Sequence, residues 1–447
     1  MGDGAEYRTD EGDCRDVLKG FQLDSLDCCV TDPPYDLLIG SRNGSGRSNE
    51  PDNPYGRHGS HGKGFMGLAW DGTGVAFDPG TWRAVFRALK PGAFLLAFGS
   101  PRTSHRLACA IEDAGFVLRD TIMFLHGTGF PKNLDVGKAI DKMAGAERKV
   151  VGVKPGHEQF AGRTTTGHID FKGDTQGFDR PWMHDTDARA RYHEATAPAT
   201  DAARQWDGWG TQLKPAFEPI LIARKPPTEK NIALQVLKTG TGALNIGASR
   251  IGTSADMNPR DFDDSRRTSP KFDGVFNGGK TGAYRAGTGA VPPGRWPANV
   301  ILDEDAAAAL DASVAQPTRR KGTPRADAMF DEDRGLTKAE NGCDEAFGPS
   351  RFFYTTKVSR AERGRYMPDG EHHAHPTPKN MALMRYLVRL ACRPGGTVLD
   401  PFLGSGSTGL AALLEGMRFV GIEQDPDHFR VATQRLARCK AELDAQR

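Results

Sequence analysis

A glycine-rich loop near the end of the 447-residue chain restricts the fold more than any other feature. Gly404-Ser405-Gly406-Ser407-Thr408-Gly409 satisfies the pattern G-x-G-x-x-G and lies between a predicted strand, 397–399, and a predicted helix, 408–415. Loops of this kind join a strand of a parallel sheet to the helix that follows it. Beyond the loop the chain has room for only one more strand, 418–422, so the other strands must come from the N-terminal half. The sequence therefore predicts a circularly permuted α/β sheet.

The N-terminal part has the pattern of those missing strands. The segment 26–31 is a short, mostly apolar run that ends at Asp32, because the two prolines that follow cannot continue a strand ladder. Helix and strand patterns then alternate, with helices at 82–90 and 104–114 and strands at 93–98 and 121–125. Such alternation is typical of a parallel sheet covered by helices on both faces. We therefore expect a Rossmann-like sheet.

The middle of the chain lacks this regular alternation. Residues 127–216 and 228–351 are polar and rich in glycine, and only 219–223 has the pattern of a buried strand. We interpret the middle as a largely irregular insertion that recognises a partner and is partly ordered only when the partner is bound. The chain thus divides into three regions, 1–126, 127–351 with its core strand near 219–223, and 352–447.

Composition and charge narrow the function classes only slightly. The 59 Lys and Arg residues nearly balance the 57 Asp and Glu residues, and a net charge of +2 neither requires nor excludes a polyanionic partner. No apolar run reaches the ~20 residues of a membrane span, and the polar, acidic start differs from a secretory leader, so we expect a cytoplasmic protein. Seven scattered cysteines and the cluster His372, His373 and His375 lack metal-site spacing, and we predict no metal.

The glycine loop and the acids around it predict a nucleoside-containing cofactor. Glu423 lies near the distance expected for a carboxylate that binds ribose hydroxyls. Asp400, just before the loop, would repel the pyrophosphate of a dinucleotide but suits the cationic amino-acid end of S-adenosylmethionine. We therefore predict S-adenosylmethionine, held by Asp400, Phe402, Gly404, Ser405, Gly406, Ser407, Thr408 and Glu423.

A second motif, Asp32-Pro33-Pro34-Tyr35, suggests chemistry on an amine. The exocyclic amine of a nucleic-acid base is a poor nucleophile, because its lone pair is delocalised into the ring. The Asp32 carboxylate and the Pro33 carbonyl, whose direction the two prolines restrict, can both accept hydrogen bonds from that amine. Tyr35 offers a flat face on which the base can stack. We predict Asp32, Pro33, Pro34 and Tyr35 as the catalytic residues.

With these two motifs in this order, the chain resembles the β-class amino DNA methyltransferases of bacteria and phages over most of its length. Further segments carry the resemblance, namely Gly12-Asp13, 89–92, 129–133 and 213–219. His375-Pro376-Thr377-Pro378-Lys379-Asn380 is similar to the family's His-Pro-Thr-x-Lys-Pro run, with Asn380 in place of the proline. The resemblance implies that Asp13 contacts the cofactor's adenine amine and that Thr377 and Lys379 line the cofactor pocket.

The resemblance also implies a fold and an activity. Region 1–126 would be the catalytic half of an S-adenosylmethionine-dependent methyltransferase, 127–351 would recognise the target, and 352–447 would bind the cofactor. In this family an Asp in the first motif position usually accompanies adenine N6 targets, so Asp32 favours site-specific methylation of a flipped adenine in double-stranded DNA. The host would be a bacterial or phage-infected cell. The sequence leaves open a homodimer and a cognate restriction endonuclease as further partners.

Several alternatives remain at this stage. Methylation of cytosine N4 would use the same hydrogen-bond acceptors for the amine. Methylation of a protein glutamine resembles this chemistry but typically carries Asn-Pro-Pro-Tyr after the cofactor loop. A nicotinamide oxidoreductase would bind NAD, and a DNA-binding module that has lost catalysis would retain the fold without activity.

Overall fold

The computed structural model describes residues 7–36, 73–127, 129, 133–154, 194–251, 294–313, 349–356, 365–367 and 379–446. The chain forms two compact units, the larger comprising Met1–Gly127, Phe217–Pro368 and Ala374–Arg447, and the smaller Thr128–Ala216 and Asp369–His373. The larger unit resumes at Phe217 and so includes the core strand near 219–223, whereas the sequence analysis groups 127–351 as one region. No helix in the described part is both long and apolar enough to cross a membrane.

Eleven strands occur in the described residues. They are β1 Tyr7–Glu11, β2 Leu26–Thr31, β3 Leu89–Phe98, β4 Val117–Leu125, β5 Val150–Val153, β6 Glu194–Thr196, β7 Phe217–Arg224, β8 Val300–Asp303, β9 Tyr354–Thr356, β10 Thr397–Asp400 and β11 Arg418–Glu423. Nine form one sheet in the order β1-β11-β10-β2-β3-β7-β4-β8-β9, and β5 pairs with β6 in the smaller unit. Strand β7 is antiparallel to both of its neighbours, and the other pairs of the large sheet are parallel.

Ten α-helices accompany these strands in the described residues. They are α1 Cys14–Val17, α2 Pro79–Ala88, α3 Ser104–Asp113, α4 Val136–Met143, α5 Asp201–Gln205, α6 Ile232–Thr239, α7 Glu304–Ser313, α8 Met381–Ala391, α9 Ser407–Leu414 and α10 Pro426–Ala445. Alternate residues of each buried strand face opposite cores, so Cys28 packs with α8, α9 and α10 while Cys29 packs with α2 and α3. Helices therefore cover both faces of the sheet, as predicted.

The winding of the sheet reverses between β10 and β2. The chain passes from β10 through α9 to β11 on one side, and from β2 through α2 to β3 on the other side. The two strands themselves are hydrogen-bonded in parallel, with Val398 opposite Cys28 and Leu399 opposite Cys29. In open α/β sheets a ligand binds outside the carboxyl ends of the strands at such a switch point. This Rossmann-like sheet is therefore assembled in permuted order, with the glycine-loop half last.

Two element boundaries differ from the sequence prediction for identifiable reasons. Strand β3 begins at Leu89, before Pro91-Gly92, because the register with β2 shifts there and such an irregularity tolerates a proline. Helix α2 begins at Pro79 rather than at residue 82. Its N-cap is Asp78, whose side chain accepts a hydrogen bond from the Gly80 backbone N–H.

The third glycine of the loop motif lets α9 pack closely against its neighbours. A Cβ atom at Gly409 would lie 2.6 Å from Phe419 Cε1 and 2.7 Å from Leu436 Cδ2. We expect Gly409→Ala to lower the free energy of unfolding by about 1–3 kcal/mol, because overpacking outweighs the better helix propensity of alanine. Urea denaturation would measure the change, with Gly20→Ala as the control, since a Cβ there meets nothing within 4 Å. Equal losses in both variants would contradict this packing role.

Candidate active site

The two sequence motifs meet at the switch point. Strand β2 ends at Thr31 and β10 ends at Asp400, and the Thr31 hydroxyl Oγ1 donates a 2.7 Å hydrogen bond to Asp400 Oδ1. The Phe402 backbone N–H donates to the same oxygen at 3.1 Å. These two bonds connect the start of the glycine loop to the end of β2. Asp400 is only 2% exposed, so the connection is buried. The glycine loop is thus a neighbour of the Asp32 corner, which consists of Asp32, Pro33, Pro34 and Tyr35.

A cavity of about 360 Å³ opens above these strand ends. Asp32 and Pro34 of the corner line it together with Phe402, Gly404 and Glu423 of the predicted cofactor set. Other walls come from the turn after β1 and the start of α10, including Gly12, Asp13, Gln424 and His428. Its size lies within the range of small-molecule and cofactor sites.

Two loop glycines adopt conformations that favour glycine. Gly404 has φ +52° and Gly406 has φ +82°, both left-handed. The turn directs the Gly404 N–H toward Glu423 Oε2, at 2.7 Å, and the Asp425 N–H donates to Glu423 Oε1 at 2.9 Å. Each carboxylate oxygen has a second lone pair, so Glu423 can accept hydrogen bonds from a vicinal diol while the backbone holds its orientation.

Asp13 lies at the rim of the same cavity and is held by its own helix. The Asp13 carboxylate caps α1 by accepting from the Arg15 N–H at 2.8 Å, and it also pairs with Arg15 Nη2 at 2.6 Å. The hydrogen bond from the Arg15 side chain is the main cause that lowers the pKa of Asp13. Asp13 is therefore an ionised hydrogen-bond acceptor facing the cavity.

The other loop residues are buried beneath the loop. Asp400, Ser405, Ser407 and Thr408 are at most 8% exposed and are not among the cavity walls. Burial raises the pKa of Asp400 to about 7, against hydrogen bonds from Thr408, Thr31 and the Phe402 N–H that lower it. Contact of these residues with a cofactor stays a prediction. In the structure they are buried and support the conformation of the loop.

The raised pKa of Asp400 has a consequence for stability. Since an unfolded Asp titrates near pH 4, between about pH 4 and 7 the folded protein retains a proton that the unfolded chain has lost. Stability therefore falls as the pH rises through this window. In Asp400→Asn the side chain keeps an oxygen for the Thr31 and Phe402 bonds but does not titrate. We expect its unfolding free energy, relative to wild type, to rise by up to about 4 kcal/mol from pH 4 to 8 in urea titrations. A difference that is constant with pH would contradict the assignment.

Lys379, predicted for the cofactor pocket, contacts the predicted catalytic residues Asp32 and Tyr35. Tyr35 Oη donates a 2.8 Å hydrogen bond to Asp32 Oδ1, and Lys379 Nζ donates to Tyr35 Oη at 2.9 Å. Lys379 Nζ also lies 3.3 Å from Asp32 Oδ1 and 2.8 Å from Glu218 Oε2. The Thr103 hydroxyl donates to the Tyr35 carbonyl at 3.0 Å. The tyrosine that follows Pro33 and Pro34 is therefore anchored at both its backbone and its hydroxyl.

The charges of this corner depend on one another. Burial raises the pKa of Asp32 against the opposing charge of Lys379. Burial also disfavours the ionised form of Glu218, but Lys379 outweighs it and the pKa of Glu218 lies below its usual range. Burial disfavours the Lys379 ammonium, yet Asp32 and Glu218 together raise the pKa of Lys379. With all three groups ionised the corner carries one net negative charge.

The sequence predicted the site of Lys379 only in part and did not predict the role of Glu218. The resemblance places Lys379 in the cofactor pocket, and in the structure Lys379 contacts Asp32 and Tyr35. Glu218 was not identified as a site residue, although an acid just before the core strand near 219–223 was a usable signal. Thr377 and the histidines at 372, 373 and 375 lie outside the described residues.

The structure is thus a Rossmann-like α/β sheet with a cavity at its switch point, and Asp32 and Pro34 line that cavity together with the glycine loop. A family model described as DNA methylase, of the N6/N4 type, matches residues 26–434. The chain belongs to this DNA methylase family.

The curated relative YhdJ matches a much smaller part of the chain than the family model does, and the similar solved structures have low sequence identity. The DNA adenine methyltransferase YhdJ of Escherichia coli K12 is 40% identical over 74 residues, which are 17% of this chain and 25% of YhdJ. A putative DNA modification methylase of Thermus thermophilus, solved with S-adenosyl-L-methionine, is 15% identical, with 97% and 95% coverage and a TM-score of 0.36. The cytosine-N4-specific PvuII DNA methyltransferase is 11% identical, with 97% and 89% coverage and a TM-score of 0.40. Similarity at these TM-scores adds nothing to the assignment.

Proposed function

We propose that this chain transfers the methyl group of S-adenosylmethionine to the exocyclic N6 amine of adenine in double-stranded DNA. The single observation that carries the proposal is the cavity that Asp32 and Pro34 share with Gly404 and Glu423, in a member of the DNA methylase family. A methyl donor bound by the loop would there lie beside the group that receives the amine. Such an arrangement is what a methyl transfer requires.

The residues of the cavity fit the cofactor. Glu423, with both carboxylate oxygens already oriented by backbone N–H groups, would accept the two ribose hydroxyls. The Asp13 carboxylate would accept a hydrogen bond from the adenine amine. Gly404 has no Cβ atom, so the nucleoside could lie close to the backbone of the loop. When bound, the cofactor supplies an electrophilic methyl group on a positively charged sulfur. The net negative charge of the Asp32 corner favours that cation.

The catalytic corner would bind and orient a base that has left the duplex. Asp32 and the Pro33 carbonyl would accept the two amine N–H bonds, and the Tyr35 ring, held by Lys379 and Thr103, would stack on the base. Extraction costs a few kcal/mol, while stacking returns about 1–3 kcal/mol and a hydrogen bond to a charged group about 1.5–3 kcal/mol. Positioning of the amine in line with the methyl group supplies much of the remaining acceleration.

Adenine is the favoured base because the motif begins with Asp32, and because the partial relative YhdJ is named as an adenine methyltransferase. Cytosine N4 is the second candidate, since both amines can donate to the same two acceptors. A protein glutamine is disfavoured by the acid at position 32 and by the order of the motifs. We further propose a cytoplasmic location in a bacterial or phage-infected cell.

Sequencing of DNA from a methylation-free host that expresses the protein tests the proposal, with a method that detects modified bases. We expect N6-methyladenine at one recurrent sequence, and a much smaller modified fraction of those sites when Asp32→Asn is expressed at the same level. N4-methylcytosine instead would select the second candidate. Unmodified DNA in the presence of folded wild-type protein would contradict the proposal.

A further inference from the structure

Glu218 reaches the catalytic corner from a distant part of the chain. It lies at the start of β7, the antiparallel strand between β3 and β4, and its Oε2 accepts a 2.8 Å hydrogen bond from Lys379 Nζ. The Lys379 side chain is 12% exposed, and its ammonium lies 5.2 Å from the centre of the Tyr35 ring and 4.6 Å from that of Phe98. The ammonium thus occupies a fixed place between two aromatic rings.

The partners of Lys379 match the donors that an ammonium has. It donates hydrogen bonds to Tyr35 Oη and Glu218 Oε2, and it forms an ion pair with Asp32 Oδ1 at 3.3 Å. Asp32 Oδ1 therefore accepts the hydrogen bond from Tyr35 Oη and also forms the ion pair with Lys379. Asp32 Oδ2 accepts no hydrogen bond from the described residues. Asp32 Oδ2 is the atom left to accept an N–H of the base.

The charge balance depends on Glu218. With Glu218 present, one ammonium is divided between two carboxylates, and Asp32 keeps part of its negative charge. Without Glu218, Lys379 would pair with Asp32 alone, and the pair would be neutral. During transfer the lone pair of the amine nitrogen forms the N–C bond, the C–S bonding pair stays on sulfur, and the amine carries a positive charge until one proton leaves to water. A neutral pair stabilises that charge less.

We propose that Glu218 is a positioning residue for methyl transfer: by holding Lys379 between Tyr35 and Asp32, it leaves Asp32 with the negative charge that the reacting amine requires. This inference rests on the proposed function and adds a residue that acts through Lys379 rather than on the base. Among the described residues, the charged and titratable groups that face this corner are Asp32, Tyr35, Glu218, Lys379, His126 and Asp400.

Glu218→Gln tests the proposal, because it keeps the shape and removes the charge. We expect kcat to fall about 10-fold to 100-fold, the effect of one hydrogen bond to a charged group, with the KM for S-adenosylmethionine changed less than about twofold. The acid limb of the pH–rate profile should also move to lower pH, since Glu218 is one of the causes that raise the pKa of Asp32. Glu218→Asp retains the charge and should keep the acid limb in place. Glu112→Gln, on the exposed face of α3, is the matched control.

A second measurement does not depend on activity. Carbon-13 NMR of the aspartate carboxyl groups, with the Asp32 signal assigned through Asp32→Asn, should show Asp32 titrating at lower pH in Glu218→Gln than in wild type. An unchanged kcat, or a reduced kcat with an unmoved acid limb and an unmoved Asp32 titration, would overturn the inference and leave Glu218 a purely structural role. Wild-type protein that methylates no DNA would refute the proposed function instead, and the carboxyl titration would still decide the role of Glu218.

Discussion

Asp32→Asn is expected to reduce the rate of methyl transfer to DNA by about 10²–10³-fold, the loss typical of removing one preorganised electrostatic group. The substitution keeps the size of the side chain, and an oxygen that can accept from Tyr35 Oη. It removes the negative charge that balances Lys379 and that, in the proposed function, draws electron density onto the amine. The effect should therefore fall on kcat, because this charge is needed most when the amine becomes cationic.

Tritium transfer from methyl-labelled S-adenosylmethionine would measure the loss, and calorimetry would measure cofactor affinity in parallel. The affinity for the cofactor should stay within about threefold of wild type. Asp32 is proposed to contact the base rather than the cofactor, and Glu423 keeps its two hydrogen bonds from backbone N–H groups. Asp113→Asn, at the exposed end of α3, is the matched control and should retain full activity. If Asp32→Asn lost cofactor binding, and methyl transfer fell only in proportion to the bound cofactor, Asp32 would contact the cofactor and not the base.

Glu423→Ala is expected to weaken S-adenosylmethionine binding by about 100-fold or more. In the proposed cofactor pose the variant loses two hydrogen bonds from the ribose to a charged group, at about 1.5–3 kcal/mol each. A loss of about 2.7 kcal/mol already corresponds to a 100-fold change in Kd. It also releases the Gly404 and Asp425 N–H groups that the carboxylate holds. The loop loses its fixed shape and its ligand contact in one step.

Calorimetric titration with S-adenosylmethionine measures this effect directly. Glu423→Gln should lie between wild type and Glu423→Ala, since it keeps one acceptor oxygen but replaces the other with a donor. Glu304→Gln, an exposed first-turn residue of α7, is the control and should bind as wild type does. A Kd for Glu423→Ala within a factor of three of wild type would show that the ribose lies elsewhere.

Much of the sheet was predictable because its signals are local. The boundaries of β2 at Leu26 and Thr31 follow from a short apolar run and from the prolines after it, and the structure has the same boundaries. The permuted order followed from one observation, the lack of room beyond Gly409. Strand β8, Val300–Asp303, was not predicted, because it lies inside the irregular stretch 228–351, where no regular alternation of helix and strand patterns marks a short strand.

The charge cluster was only half predictable for a different reason. Lys379 entered through a motif resemblance, but its partner Glu218 is 161 residues away in the sequence. Nothing local relates the two, and they meet only because the antiparallel β7 enters the sheet beside β3. Motifs identify residues that act in one segment, whereas pairs that depend on strand order require the assembled sheet.

The central claim is that the glycine-loop cavity and the Asp32 corner form one methyl-transfer site for a DNA base. The most direct measurement incubates purified protein with methyl-labelled S-adenosylmethionine and unmethylated double-stranded DNA, and then identifies the labelled nucleoside by mass spectrometry after digestion. The account predicts label in N6-methyldeoxyadenosine with wild-type protein and a loss of about 10²–10³-fold with Asp32→Asn. Label in a protein glutamine, or no transfer to any nucleoside by protein that binds the cofactor, would contradict it.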